Sequence, residues 1–252
     1  MERQIEFDCV VCGITTVDLI LGPAILDEPL EKGALHYIDQ VQAIVGGITS
    51  NSGTALARLG MRTAVLGYIG NDIWAEFIRE RLMTEGIDCS GLITHPELST
   101  SITGIIVDQQ NDHAMLCNPG ASSQLNRSLI MGQIEMFSRS RWALFGYYGL
   151  LFELMEDLPF VMKQIKKTGC LTAMDTDNSG ISMEPLRRIL PHLDIYFPND
   201  FQGEKQTGES IPEKMIKAYR DAGAIGIIGI KLGPDGALIS PKKDQFIKVK
   251  PI

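Results

Sequence analysis

The order in which apolar runs and helix signals follow one another is what most constrains this chain. Residues 9–14 are β-branched and apolar and end at a glycine-containing segment, as suits a strand buried on both faces of a sheet. Residues 63–69 are again strand-like. Between them Thr49 or Ser50 is placed to cap a helix ending near Leu59, with Gly60 at its left-handed stop. Asp72 is placed to cap a further helix, in which Trp74, Phe77, Ile78 and Leu82 recur on one face and Gly86 is the stop. The alternation resumes with a strand at 142–145, a helix presenting Leu154, Leu158, Val161 and Ile165, and a closing Gly169. Strands at 170–174, 195–197 and 225–230 follow, with helical segments at 185–190 and 211–222 between them. Such repetition predicts an α/β fold, a mostly parallel sheet with helices on both faces.

Two stretches depart from this order. Residues 30–44 read as partly alternating strands, and the short apolar runs 104–107 and 114–117 flank polar residues 108–113 in a hairpin pattern. They are expected to form a small β lid, from segments of about 28–45 and 98–117, on a single domain spanning residues 1–252. An apolar share of 44% over 252 residues is enough for one sizeable core.

Bulk properties exclude several partners. A net charge of −8 gives no general attraction to phosphate backbones or anionic membranes, so neither nucleic acid nor a membrane is expected. The apolar run near the N-terminus is interrupted by Gly13, Thr15, Thr16 and Asp18, and no stretch reaches the roughly 18 residues that a spanning helix needs. The five cysteines, Cys9, Cys12, Cys89, Cys117 and Cys170, are odd in number and scattered, which points to a reducing cytoplasm. Cys9 and Cys12 have CxxC spacing, but no second Cys or His pair accompanies them, and core packing is the better reading. His36, His95, His113 and His192 show no metal-ligand spacing.

Several positions invite a ligand. Gly46 and Gly47 precede a helix start, where backbone approaches a ligand closely and helix N–H groups point at it. Asn51 offers both a donor and an acceptor to a polyol. This glycine pair matches neither GxGxxG nor the P-loop, so a dinucleotide oxidoreductase is disfavoured. Asp175 ends a sheet strand, where ligands gather in open α/β sheets, although capping the next loop explains it equally well. Pro234, Asp235 and Gly236 are good turn sequence whatever binds nearby. Ordinary packing is expected of Tyr147 and Tyr148.

In order along the chain stand Gly46-Gly47, Asn51, Ala57-Arg58-Leu59-Gly60, Gly70-Asn71-Asp72, Thr103-Gly104, Asn118-Pro119-Gly120-Ala121, Pro198-Asn199 and KLGPDGAL from Lys231. Together they resemble the ribokinase-like PfkB carbohydrate kinases. The resemblance implies a ribokinase-like α/β domain with a β lid, ATP-dependent phosphorylation of a sugar or sugar-like hydroxyl, and Mg²⁺ as helper ion. It implies substrate binding by an opening-strand aspartate, Asp18, with Gly46, Gly47 and Asn51. For the nucleotide and phosphate it implies Asn199, Lys231, Gly233 and Gly236, with Asp175 a weaker candidate. It also raises the expectation of a homodimer formed through the lid.

Two departures qualify that picture. In the family's Asn-x-x-Glu motif the fourth position here is Gln202, whose neutral amide is a weak and indirect participant in metal handling. The Gly-Ala-Gly-Asp segment that carries the family's catalytic aspartate has no match in the 252 residues, so that base is expected beyond Ile252 and this chain alone is expected to lack efficient kinase activity. A non-catalytic sugar-binding or regulatory homologue is the alternative.

Overall fold

Alternate residues of the first strand, β1 (Phe7–Gly13), enter two different cores: Val10 and Cys12 pack in one, Cys9 and Val11 in the other. A strand that is apolar on both faces must lie inside a covered sheet, and β1 does. The computed structural model describes residues 4–26, 32–176 and 182–251; residues 28–31 of the expected first lid segment, Leu30 among them, lie outside these. After β1 come β2 (Thr16–Gly22), β3 (Gln40–Gly46), α1 (Gly47–Arg58), β4 (Thr63–Ile69), α2 (Ile73–Thr84), β5 (Asp88–Thr94), β6 (Ser101–Val107) and β7 (His113–Asn118). Then follow α3 (Arg127–Gly132), α4 (Ile134–Ser138), β8 (Ser140–Gly146), α5 (Leu158–Lys167), β9 (Leu171–Met174), α6 (Met183–Ile189) and β10 (Ile195–Tyr196). The last elements are α7 (Asp200–Thr207), α8 (Pro212–Asp221), β11 (Ile227–Lys231), β12 (Ala237–Ser240) and β13 (Ile247–Val249).

Among the described residues the strands form two sheets. The larger has the order β13-β12-β11-β10-β9-β8-β1-β4-β5, parallel from β5 to β11 and antiparallel beyond. From β1 the chain first builds outward to β4 and β5, then returns to add β8 on the other flank. The switch point of the sheet is therefore the β1–β8 boundary, where Gly13 and Gly146 stand in register. Ile48 of α1 and Ala75, Ile78 and Leu82 of α2 fill the core on one face; residues of α3, α4, α5, α6 and α8 fill the other. Burying Ile78 and Leu82, both almost fully enclosed, contributes about 1.5–3 kcal/mol each.

The smaller sheet has the order β3-β2-β6-β7, with β2 and β6 parallel and both edges antiparallel. Its second strand was not anticipated. Only Ile14 and Thr15 separate β1 from β2, so the two strands read as one run interrupted by polar residues. Asp18, expected on the opening strand, lies instead on β2, in the second sheet.

Other expectations are adjusted locally. Helix α1 begins at Gly47 with Gly46 as its N-cap, two residues ahead of Thr49. The Thr49 and Ser50 hydroxyls do not cap it: Thr49 Oγ1 meets Thr15 Oγ1 at 2.7 Å, and Ser50 Oγ donates to the Val45 carbonyl at 2.8 Å. Helix α5 starts at Leu158, after a tight turn at Met155–Asp157, so Leu154 is buried but lies ahead of the helix. The stops at Gly60, Gly86 and Gly169 have positive φ. Cys9 and Cys12 face opposite sides of the sheet, which settles their CxxC spacing as packing, and burial pushes the Cys9 thiol up to about 12.

The two sheets are tied together by Asp72 and Ser122. Asp72 caps α2 through Ala75 N at 3.0 Å and also accepts from the Thr100 N–H at 2.8 Å and the Thr100 hydroxyl at 2.7 Å, just before β6. Ser122, following β7, bonds Thr15 and the Tyr68 carbonyl. Burial raises the Asp72 carboxyl, but the hydrogen bonds from Thr100, Ala75 and Trp74 outweigh it and hold it below its ordinary value. Stability from a depressed carboxyl is present above its unfolded value and lost as pH falls through the folded one. Asp72→Ala is therefore expected to cost about 2 kcal/mol in chemical denaturation at neutral pH, a deficit that shrinks below about pH 4. Equal stability of mutant and wild type at pH 7 would refute this role.

Candidate functional site

The switch point of the large sheet opens into a cleft of about 410 Å³ under one face of the second sheet. Strand periodicity decides which residues line it. Thr16 and Asp18 of β2, Ser101, Thr103 and Ile105 of β6, and Met115 and Cys117 of β7 are alternate residues on one face, in register across the strands. Ile14, Gly47 and Asn51 line the base, and Tyr147, Leu150 and Phe152 come from the segment after β8.

Among the described residues Asp18 is the one carboxylate in this lining. It pairs with Ile44 on β3 and Thr103 on β6, which brings its carboxylate against the Cα of Gly46, two residues on from Ile44. A Cβ at Gly46 would overlap that carboxylate. Gly47, with φ of +81°, turns the chain from β3 into α1 in a conformation that side chains rarely adopt, and a Cβ there would overlap the Ile14 carbonyl. Half burial raises the Asp18 carboxyl above its ordinary value, partly offset by a hydrogen bond from Thr103.

Asn51 sits in the second turn of α1, not the first, and faces the cleft. Its Nδ2 donates to Tyr147 Oη at 3.2 Å, leaving its carbonyl oxygen for a ligand. Tyr147 adopts φ of +55°, an uncommon conformation for a bulky residue, and thereby swings its ring into the cleft. Tyr148 is fully buried, and Tyr147 both packs against the second core and lines the cleft. The sequence carried a usable signal for the missed lining residues, the every-second-residue pattern of 101–105 and 115–117.

A second group gathers along the same C-terminal edge of the large sheet. Lys231 Nζ pairs with Asp175 Oδ1 at 2.9 Å, and Asn199 bridges Lys231 across the ends of β10 and β11. Asp175 is itself fixed by its N–H to the Phe145 carbonyl at 2.8 Å, which links this group to the end of β8 beside the cleft. Gly233 and Gly236 form the turn after β11, both with positive φ. Asn199 and Gln202 make a reciprocal capping box at the start of α7: Asn199 Oδ1 accepts from Gln202 N at 2.7 Å, and Gln202 Oε1 accepts from Asn199 N at 2.8 Å. The Gln202 amide is buried and its nitrogen donates to the Thr176 carbonyl at 3.4 Å. Among the described residues no three His, Cys, Asp or Glu side chains gather in a metal-binding cluster.

The structure is a mostly parallel α/β sheet with a cleft at its switch point, roofed by a second sheet. The profile of the pfkB family carbohydrate kinases matches residues 6–252, and the chain belongs to that family. It is 28% identical over 222 residues to a 2-dehydro-3-deoxygluconokinase of Bacillus subtilis, covering 82% of this chain and 67% of the relative. It is 25% identical to a ribokinase of Haemophilus influenzae over 213 residues, with the same coverage of 82% and 67%. The structure of Arabidopsis thaliana ribokinase complexed with ribose and ATP superposes with a TM-score of 0.82 at 18% identity, covering 98% of this chain and 79% of that one. The fold is thus ribokinase-like.

Because half burial raises the Asp18 carboxyl, its protonated form contributes stability below the unfolded carboxylate range, and that contribution is lost as pH rises through its folded value. At neutral pH its charge opposes folding. Asp18→Asn is accordingly expected to melt above wild type at pH 7, with the difference vanishing near pH 3. A lower melting temperature at pH 7 would contradict the burial argument.

Proposed function

We propose that the cleft binds a sugar or sugar-like alcohol and that the protein acts in ATP-dependent phosphorylation of one of its hydroxyls. The observation that carries this reading is the convergence of Asp18, Gly46, Gly47 and Asn51 on one cleft at the switch point, with Asp175, Asn199 and Lys231 on the adjoining strand ends. Ionised Asp18 accepts hydrogen bonds from substrate hydroxyls. Asn51, steadied by Tyr147, orients a further hydroxyl, and the apolar lining keeps water from the reacting group. The second sheet serves as the lid over the bound sugar.

ATP supplies the transferred phosphoryl group. Lys231, placed by Asp175, offers an ammonium to phosphate, and the Gly233–Gly236 turn lets backbone approach it. Mg²⁺ is proposed to arrive on the nucleotide phosphates with its own water rather than in a protein cage, consistent with the neutral, capping role of Gln202. That same buried neutral amide favours a second reading, a sugar binder without turnover. Cytoplasmic location fits the described cysteines, all free thiols. Exposed Val41 on β3 and Leu116 on β7, the edge strands of the small sheet, fit pairing with a second copy.

Thermal shift with a panel of sugars and nucleosides, followed by an ATP turnover assay on the ligands that bind, tests the proposal. A saturating ligand at 100 times its dissociation constant is expected to add about 2.7 kcal/mol of stability. Phosphorylation of that ligand supports the kinase reading, and binding with no nucleotide effect supports the binder. No stabilisation by any polyol or nucleoside would remove both.

A further inference from the structure

The cleft is chemically lopsided. Groups that can grip hydroxyls, Asp18, Thr103 and Asn51, lie on β2, β6 and α1. The opposite flank, from β7 and the segment after β8, carries Met115, Leu150 and Phe152, which are 58%, 39% and 66% exposed. Large apolar side chains left open around a ligand cleft cost free energy in water that a ligand recovers by covering them, at about 25 cal/mol per Å². A bare sugar, hydroxylated all round, has nothing to place there. The cavity of about 410 Å³ lies within the range of about 300–1,000 Å³ typical of pockets that enclose drug-sized ligands.

Charge narrows the choice further. Among the described residues that line the cleft none is Lys, Arg or His, and the only ionisable acid is Asp18. A carboxylate-bearing sugar would enter a largely apolar cleft with no cation to pair with and a like charge facing it, which is unfavourable. That argues against a sugar acid, even though a 2-dehydro-3-deoxygluconokinase is among the similar sequences.

We propose that the preferred substrate is an uncharged sugar bearing a flat aromatic substituent, of the nucleoside kind, with its sugar hydroxyls on Asp18 and Asn51 and the face of its substituent against Phe152 and Met115. This rests on the cleft being the sugar site. Phe152, aromatic and at an exposed position, is then a specificity-determining residue.

The test is isothermal titration calorimetry of the protein with uridine, ribose and 2-dehydro-3-deoxygluconate, repeated on Phe152→Ala. Uridine is expected to bind at least about tenfold more tightly than ribose, since one aromatic contact contributes about 0.5–1.5 kcal/mol beyond the area it buries. The sugar acid is expected to bind at least about tenfold more weakly than ribose, from like-charge repulsion. Phe152→Ala should narrow the gap between uridine and ribose to within about threefold, because the exposed ring is what the substituent covers. The proposal is overturned if the sugar acid binds as well as ribose, or if ribose matches uridine. It is also overturned if Phe152→Ala weakens both equally, which would mean that closure of the second sheet, and not the ligand, covers the ring. Binding of none of the three would instead strike at the sugar-site reading beneath it.

Discussion

The junction at Gly46-Gly47 is the constraint on which the rest of the site depends. A strand of the second sheet ends there and a helix of the first begins, with no turn residues to spare between β3 and α1. Gly47 takes a positive φ and lies against the Ile14 carbonyl, so the chain reverses directly into the helix. Gly46 has no side chain, and the Asp18 carboxylate occupies the space a methyl group would need. Two adjacent positions thus set the start of α1 and the placement of the Asp18 carboxylate in the cleft. Thr49 reinforces the joint through Thr15 and the Ile14 carbonyl.

Function follows from how the sheet switches direction. Because β1 is flanked by β4 on one side and β8 on the other, loops diverge at its C-terminal end and leave a gap there. The second sheet, carried on β2, β3, β6 and β7, roofs that gap. Asp72 and Ser122 fix its roots to the large sheet, which places Gly70-Asn71-Asp72 at that joint, while Pro119 of Asn118-Pro119-Gly120-Ala121 lines the cleft. The polar group at Asp175 and Lys231 lies further along the same edge, after β9 and at the end of β11.

Much of this was legible in the chain before any coordinates. Trp74, Phe77, Ile78 and Leu82 on one helical face, with Asp72 before them, specified α2 because capping and periodicity agree there. The hairpin of β6 and β7 was readable from its polar turn. Strand β2 was not, because Ile14 and Thr15 give too short a break for a change of sheet to show in composition. Tyr147 packs against the core as expected, but the left-handed backbone that also turns its ring to the cleft leaves no mark in residue type. Gln202 was seen as a lost charge; that it closes a capping box with Asn199 depended on the helix that starts there.

The central claim is that the carboxylate beside Gly46 is the anchor for the substrate's hydroxyls, and a crystal structure of the protein with its best-binding sugar or nucleoside tests it most directly. Sugar hydroxyls within hydrogen-bonding distance of both Asp18 Oδ atoms, with Asn51 on a neighbouring hydroxyl, are what the geometry predicts. A ligand bound elsewhere, with Asp18 still packed on Gly46 and touching no hydroxyl, would contradict it.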